Sequence, residues 1–96
     1  MSTFISLVNF TEQGIKDVKN SPARAQAFID MAKKLGVTVK AIYWTVGTYD
    51  VVVVAEGSDE AVTAALLTVG SAGNVRSQTL RAFDADEMRK ILATMH

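Results

Sequence analysis

The sequence predicts an α+β fold whose elements run β-α-β-β-α-β, with one more helix after them. Three observations carry this prediction. Runs rich in β-branched and aromatic residues recur at positions 3–10, 37–46, 49–56 and 74–83. Two intervening stretches place apolar residues along one face of a helix, between recognisable start and stop residues. Gly47-Thr48 separates the second and third runs, a pair suited to a two-residue turn, so those runs form a β-hairpin.

The first strand ends at Thr11, a residue type whose side-chain oxygen caps helix starts, and a short helical turn follows over residues 11–19. Asn20-Ser21-Pro22 then opens the main first helix, with Ser21 as N-cap and Pro22 at the first helical position. Its buried stripe is Ala25, Phe28, Ile29, Ala32 and Leu35, and Gly36 sits where a left-handed terminal residue is expected. A two-residue turn pairs Tyr43 with Val52 and Trp44 with Val51, putting Ile42, Trp44, Val51 and Val53 on one face. It puts Val39, Ala41, Tyr43, Val52 and Val54 on the other. Ser58 opens the next helix, which buries Val62, Ala65, Leu66 and Val69 before Gly70 and Gly73 end it. The fourth strand carries Arg76, Gln78 and Arg81, as suits a charged edge. Asp84 and Glu87 have capping-box spacing, and Met88, Ile91, Leu92 and Met95 line one side of the terminal helix.

This order is the ferredoxin-like arrangement, in which an antiparallel sheet of strand order 4-1-3-2 carries both long helices on one face. Both faces of the hairpin are apolar, so the second sheet face demands cover. At roughly 25 cal/mol per Å², a bare face of ~400 Å² forgoes about 10 kcal/mol, comparable to the stability of a whole domain. A second copy of the chain is the expected cover, which makes the protein a homo-oligomer of at least two chains; the rival is a monomer whose own last helix folds over its sheet.

Residues 1–96 read as a single domain, because no linker or repeat interrupts them. Ten basic side chains balance ten acidic ones, so no net field favours nucleic acid or an anionic membrane. Cysteine is absent, which excludes disulfides, thiolate nucleophiles and cysteine-held metal centres. His96, the last residue, is the single histidine, so neither a Ser-His-Asp triad nor a His-rich metal set is available. No metal or cofactor is therefore expected. The N-terminus lacks the basic region and long apolar run of a signal peptide, and no stretch spans a membrane, which leaves a cytoplasmic location as the expectation.

Gly47-Thr48-Tyr49-Asp50 matches the Gly-x-Tyr-Asp signature of the GYD domain family, which the chain resembles over nearly its whole length. Also similar are Phe10-Thr11-Glu12-Gln13-Gly14-Ile15, Ser21-Pro22-Ala23-Arg24, Tyr43-Trp44, Gly73-Asn74-Val75-Arg76 and Thr79-Leu80-Arg81-Ala82-Phe83. The resemblance implies a dimeric α+β barrel in small bacterial or archaeal proteins, and no established biochemical activity.

Candidate site residues follow from the topology, which gathers polar groups at the hairpin end of the sheet. Asn9, Tyr49, Asp50 and Arg76 fall there, and Tyr43 is placed to line a cavity from the opposite face of the hairpin. As a ligand site, Asp50 acts as a base or anchor, Arg76 as a charged clamp, and Tyr49, Tyr43 and Asn9 line the walls. Structurally, Asp50 accepts backbone N–H bonds or pairs with Arg76, and the aromatics cement the hairpin. The first functional expectation is a homo-oligomeric module that binds a small molecule or simply assembles. The alternative is a cofactor-free isomerase or monooxygenase-like enzyme with Asp50 as base and Arg76 or Tyr49 as polariser. It requires a cavity of roughly 300 Å³ beside these groups.

Overall fold

The computed structural model describes residues 1–96. Strand β1 (Ser2–Phe10) leads into α1 (Glu12–Lys16), a single 3-10 turn at Val18–Asn20, and α2 (Ser21–Lys34). Strands β2 (Thr38–Trp44) and β3 (Val51–Gly57) follow, then α3 (Asp59–Ser71), β4 (Val75–Ala82) and α4 (Ala85–Leu92). All three strand pairings are antiparallel, in the order β2-β3-β1-β4.

Local chemistry accounts for most helix ends. Thr11 Oγ1 accepts from Gly14 N–H at 3.1 Å at the head of α1, and Ser58 Oγ accepts from Ala61 N–H at 3.1 Å at the head of α3. At α4, Asp84 and Glu87 form a reciprocal capping box, with bonds of 2.8 and 3.1 Å. Gly36 carries the positive φ, 88°, that turns the chain from α2 into β2. The expected cap of α2 is different. Asn20 precedes the helix, and Ser21 is its first residue, its buried hydroxyl accepting from Trp44 Nε1–H at 2.8 Å. Leu35, expected to be buried, is exposed because α2 ends at Lys34.

The helix-facing side of the sheet holds the core. Ala32, Val37, Ala55, Val62 and Ala65 form one buried cluster, and Val8, Val51 and Val53 form a second. Val39 packs on this side, contrary to the expected alternation, because a register shift at Lys40 inserts one residue between the pairs Val39–Ala55 and Ala41–Val54.

Two further expectations are corrected. The sheet does not form a barrel: β2 and β4 are free edges of an open four-stranded sheet. Closure would require its two edge strands to meet, with tilt and stagger carried around a full circuit. The dimeric α+β barrel implied by the family resemblance is therefore replaced by an open α+β sheet. The hairpin also lacks its two-residue turn. Residues 45–50 form a loop, Thr45 Oγ1 donates to the Tyr49 carbonyl at 2.5 Å, and Asp50 N–H donates to the Val8 carbonyl at 2.8 Å. Asp50 is thus held from both sides, by β1 through Val8 and by its hairpin partner through Thr45 N–H, which donates to the Asp50 carbonyl at 2.8 Å.

Candidate functional site

Two surfaces stand out, one on each side of the sheet. On the open side, register places Ala41, Val54, Ile5 and Leu80 in one row and Tyr43, Val52, Leu7 and Gln78 in the next. This apolar centre is flanked by polar groups: Asn9 opposite Arg76 at one end, and the Lys40–Glu56 ion pair at 3.7 Å at the other. An apolar centre inside a polar rim is the anatomy of a protein interface. Tyr43, at 64% exposure, and Leu80, at 43%, are the exposed large hydrophobic residues of the two rows.

Beyond the sheet, α4 presents Met88, Ile91 and Leu92 at 43, 39 and 50% exposure, and no residue of α4 is buried. Their spacing makes one apolar stripe. An eight-residue helix is marginal in water on its own, so packing against another surface is what would hold such a stripe in place.

The structure distributes the five candidate residues over one end of the sheet. Asn9 and Arg76 are register partners, and Tyr49 Oη donates to Gln78 Oε1 at 3.3 Å, two residues along β4 from Arg76. Tyr43 stands across from Val52 on the open face. Asp50 is placed differently: its Oδ2 accepts from Phe10 N–H at 2.9 Å, tying the loop to β1, and it forms no ion pair with Arg76. No group of three or more His, Cys, Asp or Glu residues is arranged to hold a metal.

The second surface lies under the helices. Between α2, α3 and the sheet, the side chains leave a cavity of about 310 Å³, open on one side. Val8, Val51 and Val53 form its floor, Phe28, Met31, Leu66 and Val69 its helical walls, and Phe10, Ile42 and Trp44 its flanks. None of the five candidate residues lines it. Its polar lining includes Ser6, whose hydroxyl bonds Thr79 Oγ1 at 2.8 Å, as well as Ser21, Asn74 and one charged group, Arg24. The space exists because α2 turns Ala25 and Ala27 toward it where larger residues would fill it. The sequence did signal Ser21 and Arg24, but only as a helix start; their meeting with Trp44 depends on how α2 lies across β2.

The profile of the GYD domain matches residues 4–92. The chain belongs to the GYD domain family. Among curated proteins, this GYD domain is 34% identical over 90 residues to the "glutamine synthetase and cystathionine beta-lyase binding protein" of Thermus thermophilus. The match covers 92% of this chain and 95% of that protein. Among solved structures, it is similar to TTHA0845, also of Thermus thermophilus, with a TM-score of 0.56 and 25% identity over 88% of this chain and 96% of the other. The name of that curated relative describes a binding protein. No helix of the GYD domain is long and apolar enough to cross a membrane.

Proposed function

We propose that this GYD domain is a cytoplasmic protein-binding module that works as a homo-oligomer. The observation that carries the reading is α4, whose apolar stripe of Met88, Ile91 and Leu92 is left uncovered by its own chain. The open sheet face adds a second apolar area with a polar rim, and a sister chain is the partner that can cover both. The relative's name supports the protein-binding part of the reading. A domain of this family that binds two enzymes of amino-acid metabolism makes such enzymes the expected partner class here.

Light scattering after size separation is expected to give the mass of more than one chain for the native protein. The double variant Ile91→Glu/Leu92→Glu is expected to run as a monomer with an unchanged far-ultraviolet spectrum. A native protein that stays monomeric at every concentration overturns the oligomer, and a variant that stays assembled overturns the role of α4. For the partner class, the immobilised protein is expected to retain purified glutamine synthetase or cystathionine β-lyase from its own organism. Retention of neither overturns that assignment.

A further inference from the structure

We infer that the cavity between α2, α3 and the sheet is a binding site for a compact aromatic acid. The inference is independent of the protein-binding role, since the cavity lies on the opposite side of the sheet from the open face. Its volume of about 310 Å³ falls at the lower end of the range for small-molecule pockets, roughly 300–1,000 Å³, which selects a compact ligand. Phe10, Phe28 and Trp44 supply aromatic edges and faces, and the valines of β3 supply an apolar floor, so the body of the ligand is a ring.

The acidic group follows from Arg24, the single charged side chain in the lining. Its Nη1 donates to Asp17 Oδ2 at 3.0 Å and to the Asp17 carbonyl at 2.8 Å, while Nη2 reaches the Gly14 carbonyl at 3.3 Å. A guanidinium has five N–H donors, so these three bonds leave donors on Nε and Nη2 for a ligand carboxylate. The competing Asp17 carboxylate is 55% exposed, where solvent weakens its hold. Ser21 also lines the cavity, and its Oγ accepts from Trp44 Nε1–H, which leaves its own O–H able to donate to a ligand.

Trp44 is the protein's one tryptophan and forms part of the wall, so its emission reports occupancy directly. Titration with para-ethylbenzoate and with the uncharged para-ethylbenzyl alcohol is expected to give a saturable change for both. The acid is expected to bind about tenfold more tightly, as one charge-assisted contact provides. Ala25→Leu and Ser77→Leu grow into the cavity from α2 and β4 and are each expected to weaken both probes by about tenfold or more. Asp17→Asn is expected to tighten the acid severalfold and leave the alcohol unchanged. Absence of a saturable change with either probe overturns the site, as does unaltered binding in whichever filled variant melts like the native protein. Equal affinity for acid and alcohol, in both the native protein and Asp17→Asn, overturns the acidic class of ligand.

Discussion

Gly14→Ala is expected to lower the stability of the protein by about 3 kcal/mol, a fall of roughly 15 °C in its melting temperature. A Cβ at Gly14 would stand 1.9 Å from the Asn74 carbonyl oxygen and 2.8 Å from its carbon, both backbone atoms with little freedom to retreat. The methyl group must therefore lift α1 away from the turn before β4. That turn is held to α1 by Thr11 N–H to the Asn74 carbonyl at 3.0 Å, Thr11 Oγ1 to the Gly73 carbonyl at 2.6 Å, and Gln13 Nε2 to the Ala72 carbonyl at 3.1 Å. Overpacking and weakened hydrogen bonds together outweigh the gain of about 1 kcal/mol that alanine brings to a helix. Gly70→Ala supplies the internal control. It lies within α3 with nothing within 4 Å of the added carbon, so it is expected to stabilise by about 0.5–1 kcal/mol. Thermal melts of the two variants check both signs, and a Gly14→Ala protein that melts with the native one would contradict the close approach.

Asp50→Ala is expected to cost about 2 kcal/mol, while Asp50→Asn costs less than about 1 kcal/mol. The carboxylate accepts the Phe10 N–H, a part-buried donor at the end of β1 that would otherwise lose its partner. Asparagine keeps a carbonyl oxygen of the same reach, whereas alanine keeps none. Denaturant titrations of both variants test this structural role, because loss of a side chain that served only as a base would leave stability nearly unchanged with either residue. An Asn variant as unstable as the Ala variant would show that the charge, rather than the acceptor, is what β1 requires.

Asp50 also shows how the readable and unreadable parts of this chain divide. Its place after the turn, its register opposite Thr45, and its taste for backbone N–H groups are local properties, and Thr45 N–H does donate to its carbonyl at 2.8 Å. The donor it captures belongs to Phe10, 40 positions earlier in the chain. That contact arises only once β1 lies beside β3, and residues 45–50 form a loop in place of the predicted tight turn. Lys40 tells the same story in a strand: nothing in Val39-Lys40-Ala41 marks the extra residue, because the register shift is a compromise between β2's own alternation and its pairing with β3.

The candidate site was legible in part. Asn9 and Arg76 could be placed at one end of the sheet from strand order alone, and the structure makes them direct register partners. The cavity could not be placed this way. Ala25 and Phe28 read as ordinary members of a buried stripe, and the space beside them depends on the separation of α2 from α3, a distance that no periodicity encodes.

By itself, the sequence determined the caps of α1, α3 and α4 and an amphipathic terminal helix, since caps and helical periodicity act between residues a few positions apart. Tertiary structure alone decided that the sheet stays open, that Asp50 serves β1, and that Ser21, Arg24 and Trp44 meet at one cavity. Those outcomes depend on how whole elements lie across one another, where packing between distant segments overrides local preference.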